Sequence, residues 1–500
     1  MIILSSIRVT FSGLIAFVVG VVSVFTGLIF VLIITRNLTP IEFGTWGLIG
    51  ATLNYLLISE VIINYWTVRQ IARNEPVGKT GLMSSTFFML SSVPIYLAYV
   101  YFTSDQSNVI FDAMLFGIIL IPVYFFSTAL VQINTGHKPH VVSYGNLVFE
   151  FTKIPIALVL IIFLELGIAG AIMTLLLSYI SRIIIQIYFA KNILRPKFQF
   201  VILKNWIKLS YIPLYNTAAN YLKNLDVLLY PIIIGSVIGV AYYFAAFTIS
   251  NIIIHSSLIA QALYPKLLAE GKYKTISENF SLMLYFAIPL TTLTVLFAKP
   301  GLFALNPEYQ FADTIVMILS FKILLTVFHK YFQQILLGLE NIDVQPDVKF
   351  SKILHSNLFQ IPTINIIEYL SYIIIFIMLL TFNSNISDLD LVLWWVLLAF
   401  LVEIPVVVYL FILVKNIIDF SIKYAEIIKY IFAASMVIVT YLTTSDYIIK
   451  YNERINDFLP GVIIEGLICI SIYLGITYAV DVKTRKIFHS VLSEVSNKRK

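Results

Sequence analysis

The sequence predicts an all-α integral membrane protein with about fourteen transmembrane helices, and three observations lead there. Hydrophobic residues make up 59% of the chain and charged residues 12%, about half the roughly 25% charge of soluble domains; mean hydropathy is +0.92. The apolar residues form continuous runs of helix length, not the alternation of a membrane barrel, and helices satisfy their own backbone polar groups. The cationic residues also fall almost entirely on one side of the resulting topology.

At about 20 apolar residues per crossing, spans are expected near 9–34, 45–66, 82–102, 109–132, 141–165, 167–190, 211–234, 236–262, 279–298, 311–336, 359–382, 389–414, 425–446 and 459–480. Residues 9–35 carry no charge. That run is longer than a signal-peptide core of about 7–15 residues and has no small-residue cleavage pattern after it, so it reads as the first span and no removable targeting segment is expected. "TRNLTPIEFGTWGLIG" (35–50) then breaks the apolar sequence. Residues 227–265 again lack Asp, Glu, Lys and Arg. One helix of that length would overshoot the bilayer, so a turn is expected at 235–239. Pro94, Pro122, Pro155, Pro213, Pro289 and Pro405 fall inside spans and predict kinks. The one cysteine, Cys469, has no partner for an internal disulfide and reads as inert packing.

With the N-terminus in the cytoplasm, 24 Lys and Arg residues fall inside and 4 outside (Arg36, Lys299, Lys450 and Arg454), while five lie within spans. A wrong helix count would scramble this split, so both termini are expected in the cytoplasm of a multi-pass cell (plasma) membrane protein. The net charge of +6 is spread over these loops; it suits anionic headgroups, and no nucleic-acid partner is expected. Residues 191–210, "KNILRPKFQFVILKNWIKLS", read as an amphipathic basic segment on the inner surface. It follows the sixth span, where two six-helix halves would join. The division expected is 1–208 for an N-terminal lobe of spans 1–6, 209–415 for a C-terminal lobe of spans 7–12, and 416–500 for spans 13–14 with a basic tail. No Walker lysine motif and no HExxH occurs, so neither an enzyme nor a bound metal or cofactor is expected.

A charge near the bilayer centre costs about 2.5–3.5 kcal/mol on insertion scales, so such residues usually face a bundle interior or a cavity. Lys153, Lys223 and Lys322 lie near mid-span; Lys330 lies near an end and can snorkel. "EFTK" places Glu150 and Lys153 on one helix face, and "KNLD" does the same for Lys223 and Asp226. Two readings stay open. These are ion pairs that ease insertion, or they line a polar cavity between the halves that receives an anionic phosphate or pyrophosphate headgroup. In the second reading Lys153, Lys223, Lys322 and Arg182 bind the headgroup, with Arg182 forking onto phosphate oxygens. The carboxylates Asp226, Glu60 and Glu150 are candidates for H+ or Na+ coupling, or for pairing. Glu368, Glu403 and Glu465 read as cross-helix partners, and His255 and His329 as hydrogen-bonded structural residues.

The stretch at 35–50 resembles the motif after the first helix in Wzx-type polysaccharide and lipid-linked oligosaccharide flippases of the multidrug/oligosaccharidyl-lipid/polysaccharide exporter superfamily. Those read Arg-x-Leu-[Ser/Thr]-Pro-x-[Glu/Asp]-[Phe/Tyr]-Gly, matched here by Arg36, Leu38, Thr39, Pro40, Glu42, Phe43 and Gly44. "LKNLDVLLYPIIIGSVIGVAYYFAAF", "LYPKLLAEGK", "AKPGLFALNPEYQFADTIVMIL" and "QQILLGLEN" resemble later segments of that family in order, over about residues 1–340. Gly44-Thr-Trp-Gly and Gly239-Val-Ala-Tyr stand 195 residues apart, the spacing of a parallel six-helix repeat, which supports two pseudo-symmetric lobes plus two C-terminal helices.

The resemblance implies a monomeric flippase that carries a polyprenyl-linked oligosaccharide to the outer leaflet by alternating access, with membrane lipids and glycan assembly enzymes as partners. It leaves a small-molecule antiporter of the multidrug branch as the first rival, and a membrane glycan polymerase or ligase, or a non-transporting scaffold, behind it. The midplane here is richer in lysine than the family's arginine-rich pattern, which leaves the headgroup open.

Overall fold

The computed structural model describes residues 2–258, 274–340, 354, 356–418 and 420–485. Every regular element among them is helical. In chain order they are α1 (Ile2–Asn37), α2 (Pro40–Leu56), α3 (Ile58–Ala72), α4 (Gly78–Gln106), α5 (Phe111–Phe116), α6 (Leu120–His137), α7 (Pro139–Ala157), α8 (Gly167–Ala190), α9 (Phe200–Lys208), α10 (Tyr211–Lys223) and α11 (Leu225–Ile234). There follow α12 (Ile238–Ser250), α13 (Lys274–Leu296), α14 (Ala298–Leu305), α15 (Asp313–Gly338), α16 (Asn357–Phe382), α17 (Asp388–Ile417), α18 (Tyr424–Ile448) and α19 (Ile455–Val480).

Among the described residues eleven helices are long and apolar enough to cross a membrane, and α2 with α3, bent by 50° at their junction, makes a twelfth. Shorter apolar helices, Val22–Asn37 and Leu225–Ile234, stand where the first and seventh spans are expected, so helix occupies all fourteen positions. The sequence pattern does not show that two spans are broken, the second at Leu57 and the seventh at Asn224. Past Pro155 the chain relaxes into a π-helix, Leu158–Phe163: proline lacks an N–H and its ring crowds the preceding turn. The basic segment forms α9, which buries Leu203 and Trp206 and exposes Lys204 and Lys208. Residues 259–262 of the eighth span, "LYPKLLAEGK", Lys266, Lys272, Lys349, Lys352 and the tail from 486 lie outside the described residues.

By contact the chain divides into two units, Met1–Phe244 with Tyr369–Leu391, and Ala245–Glu368 with Val392–Lys500. The first is held at one end by its interhelix connections. Thr39 caps α2: its Oγ1 accepts from Glu42 N, while Glu42 Oε2 accepts from Thr39 N at 2.8 Å, with Pro40 at the first helical position. This capping box closes donors that a helix end leaves open. Thr45 Oγ1 accepts from Ile110 N, and Glu42 Oε1 would lie 3.1 Å from a Cβ on Gly167. Asn108 Oδ1 accepts from Val237 N at 2.9 Å, and Gly235, at φ +79°, accepts from Asn108 N. Asp388 accepts from Tyr230 Oη (2.7 Å) and Ser236 Oγ (2.8 Å). The connections after spans 1, 3, 5, 7 and 11 thus gather at one end, as a chain that crosses at every expected span requires.

The close approach there depends on missing side chains. A Cβ on Gly44 would collide with the Val237 carbonyl, and one on Gly239 with the Tyr230 ring. The second unit packs around Ile253, Met283, Val327, Tyr331 and Leu410, and separately joins α13, α18 and α19 through Tyr285, Tyr430 and Tyr473.

A Gly44→Val substitution meets backbone that cannot rotate away. We expect it to cost about 1–3 kcal/mol of stability, read as a lower thermal unfolding midpoint of detergent-purified protein. Gly50→Ala, where nothing lies within 4 Å, is the control expected to leave that midpoint unchanged.

Candidate functional site

One group of intramembrane charges in the first unit lies on α7 and α8. One helical turn separates Glu150 from Lys153, and Lys153 Nζ lies 2.6 Å from Glu150 Oε2, both side chains about nine-tenths buried. Thr26 of α1 donates to the same carboxylate oxygen. Lys153 Nζ also lies 5.3 Å from the Phe30 ring centroid and 5.1 Å from that of Phe149, where the negative ring faces stabilise a cation. Arg182 of α8 stands beside Glu150 and Tyr179, with its Nε enclosed and without a hydrogen-bond partner. Tyr124, Tyr179 and Phe149 pack alongside with their rings tilted against one another. Two cations therefore face one carboxylate, and the group carries one positive charge in excess.

The two helix breaks each carry a carboxylate. Glu60 lies in the first turn of α3 and Asp226 in the first turn of α11, where unsatisfied N–H groups and the helix dipole favour negative charge inside the membrane. Glu60 is 1% exposed, and neither of its oxygens meets a donor at hydrogen-bond geometry; Ser85 and Asn64 are its polar neighbours, with Tyr221 beyond them. Asp226 Oδ2 accepts from Tyr372 Oη at 2.6 Å, and Oδ1 accepts from Val227 N.

The break at Asn224 also separates Lys223 from Asp226. The spacing of "KNLD" predicts neighbours on one helix face; instead they belong to different helices, and Lys223 Nζ lies 5.6 Å from the Tyr369 ring centroid. Lys322, in the second unit, bonds Glu403 of α17 at 3.2 Å and donates to Thr326. Of the residues singled out from the sequence, Glu150, Lys153 and Arg182 form one group, while Lys223, Asp226 and Glu60 each keep separate neighbours.

The sequence reading missed the partners, because they come from distant helices: Thr26 for Glu150, Tyr372 for Asp226, Asp388 for Tyr230 and Ser236. It also missed the group around Lys322. One signal was present. Lys322, Thr326, His329 and Gln333 follow one another at steps of four, three and four, a polar stripe on an otherwise apolar helix.

Glu465 is fully buried with Thr444 donating to it at 2.6 Å, and Cys469 beside it is fully buried as well. Near them α13, α18 and α19 line an open apolar hollow of about 250 Å³, with Tyr285, Phe286, Leu293, Val437, Cys469 and Tyr473 on its walls.

No protein-family description matches the sequence, and no curated protein does. The fold does have relatives among solved structures. A lipid II flippase, MurJ, in an inward closed conformation superposes with a TM-score of 0.66 at 14% identity, covering 95% of this chain and all of that one. An inward-facing multidrug resistance MATE family transporter of the MOP superfamily gives 0.55 at 14% identity, covering 79% of this chain and 95% of its own. The likeness is one of fold, and both neighbours are membrane transport proteins.

Removing one partner of a buried ion pair strands the other. Glu150→Gln is expected to lower stability by about 3–5 kcal/mol, measured by unfolding in detergent. The triple substitution Glu150→Leu, Lys153→Met and Arg182→Met removes all three charges and is expected to stay within about 1 kcal/mol of the parent, as volume-conserving apolar replacements of buried ion groups do.

Proposed function

We propose that this protein is a flippase that moves a polyprenyl-(pyro)phosphate-linked oligosaccharide from the cytoplasmic to the outer leaflet of the cell membrane by alternating access, for polysaccharide or glycoprotein glycan assembly. It would act as a transporter and not as an enzyme, with both termini cytoplasmic. The observation that carries this reading is the positive excess of Lys153 and Arg182 over Glu150, inside a bundle whose fold is shared with a lipid II flippase along the whole of that chain. A cationic group within a span suits the phosphates of a lipid-linked sugar, and arginine can grip phosphate oxygens in pairs.

In this reading residues 1–208 and 209–415 are the two lobes that rock against each other. Lys223 and Lys322 add positive charge from the second lobe, and Glu60 and Asp226, at their helix breaks, carry the coupling H+ or Na+. The apolar hollow between α13, α18 and α19 would hold part of the isoprenoid tail while the headgroup crosses. The protein would act as a monomer, handing substrate to glycan assembly enzymes on the outer face.

A cation-coupled small-molecule antiporter is the second reading. The shared fold with a multidrug transporter and the buried Glu60 favour it, since an enclosed carboxylate suits a cationic drug or its counter-ion. The two readings differ in the sign of the cargo.

Depleting the protein is expected to trap lipid-linked oligosaccharide in the cytoplasmic leaflet, read by sugar-specific labelling of each face. Unchanged outer-leaflet delivery, with no redundant flippase present, overturns the reading. The Glu150→Leu, Lys153→Met, Arg182→Met variant gives a second measurement: it is expected to fold and insert yet lose at least about tenfold in flipping rate, a loss of about 1.4 kcal/mol in barrier stabilisation. Full transport by that variant would make these charges an insertion aid.

A further inference from the structure

The connection between α8 and α10 is pinned to the first unit and does not hang free between helices. Leu203 and Trp206 of α9 enter the core formed by Ile71, Val77 and Ile133. Trp206 Nε1 donates to Gln70 Oε1 at 3.1 Å, and Gln199 N donates to Thr80 Oγ1 at 3.1 Å. A Cβ on Gly78 would lie 2.6 Å from the Ile193 carbonyl oxygen, so the chain before α9 also lies tight against α4. Gln70 stands near the end of α3, Gly78 and Thr80 open α4, α8 ends at Ala190 and α10 starts at Tyr211. These contacts hold α9 at the level where the spans of this unit end.

The outward side of α9 is mixed in character. Phe200, Lys204, Ile207 and Lys208 follow at steps of four, three and one, which places them on one face. Phe200 is 68% and Ile207 48% exposed, and both lysines are exposed as well. An interfacial helix presents this combination, with apolar groups for acyl chains and ammonium groups for headgroups.

The charge around α9 lacks a counterpart in the fold. Residues 191–210 hold five Lys and Arg residues and no Asp or Glu. Arg195, Lys197, Lys204 and Lys208 are exposed, and among the described residues none of the four has a carboxylate within ion-pair distance. The second unit solves the same problem differently. There Lys423, Lys429 and Lys483, also near helix ends, lie 3.4–3.7 Å from Glu278, Glu426 or Asp481. Those cations are neutralised by the protein itself, whereas the cations at α9 are left for an anion from outside. A polyanion dissolved in water would match the charge but leave Phe200 and Ile207 without a use; a charged lipid matches both.

We propose that the exposed face of α9, with Arg195 and Lys197 before it, is a docking surface for anionic phospholipid. The four cations meet the headgroup phosphates while Phe200 and Ile207 enter the acyl region beside them. The assignment does not rest on what the protein transports.

The test titrates full-length protein in neutral detergent with a fluorescent phosphatidylglycerol, read by anisotropy, with fluorescent phosphatidylcholine as the reference. The parent is expected to prefer phosphatidylglycerol. Joint substitution Arg195→Gln, Lys197→Gln, Lys204→Gln and Lys208→Gln is expected to weaken that binding by at least about fivefold and to leave the thermal unfolding midpoint unchanged. A second measurement keeps all four cations. In Cys469→Ser, Phe200→Cys protein, reconstituted in phosphatidylglycerol–phosphatidylcholine vesicles, a nitroxide at position 200 is expected to be relaxed more by oxygen than by an aqueous nickel chelate. Equal affinity of parent and quadruple variant for phosphatidylglycerol overturns the proposal, as does a nitroxide relaxed mainly by nickel. Polyglutamate that binds the parent more tightly than phosphatidylglycerol, and does not bind the variant, also overturns it and marks the surface as one for an acidic protein.

Discussion

Inside a hydrocarbon layer no polar group can borrow a partner from water, and the rest of this structure follows from that constraint. It forces the backbone into helices wherever the chain crosses. It also explains the hydroxyl side chains within them: Thr52, Ser84, Thr174 and Ser178, among others, donate to the carbonyl four residues earlier. The same constraint makes helix ends the costly places, since each leaves four donors or acceptors open. The conspicuous motif of the sequence answers that cost. Thr39, Pro40 and Glu42 build a reciprocal cap, Leu38 and Phe43 bury their side chains beside it at 3% and 0% exposure, and Gly44 admits the backbone of Val237. Its residues are those of a joint, and none of them needs to touch a substrate.

Charges obey the same rule less completely. On α7 and α8, Lys153 and Arg182 outnumber Glu150. A purely structural set of ion pairs would have no reason to leave residual charge of either sign, because each uncompensated charge costs more than a pair. Residual charge is what a site keeps when part of its balance comes from something that arrives and leaves. A positive residue suits an anion.

The fold was legible in the sequence to the extent that bilayer thickness dictates it. Run length was enough to place helix at the fourteen expected positions, because it responds to the membrane one segment at a time. The breaks at Leu57 and Asn224 were not legible, since neither carries a proline or glycine to mark it. The break at Asn224 altered the chemistry: it took Lys223 and Asp226 out of one helix and gave them Tyr369 and Tyr372 as neighbours. The pair in "EFTK" survived because α7 runs unbroken through it. Cross-helix partners were out of reach of any local pattern, standing 124 residues apart for Thr26 and Glu150 and 146 for Tyr372 and Asp226.

The two breaks nevertheless obey one logic. A break inside a span exposes the open N–H groups of the half-helix that follows, and hydrocarbon offers them nothing. A carboxylate in the first turn answers the electrostatics of that helix end, and each break is followed by one: Glu60 three residues after Leu57, Asp226 two after Asn224. The dependence runs both ways, because the helix dipole also stabilises the carboxylate against burial. Loss of either carboxylate therefore exposes the break as well as deleting a charge, so the helix break and the acidic residue form one unit. A hydrophobicity profile, which scores each residue alone, registers that acid only as a flaw in the span.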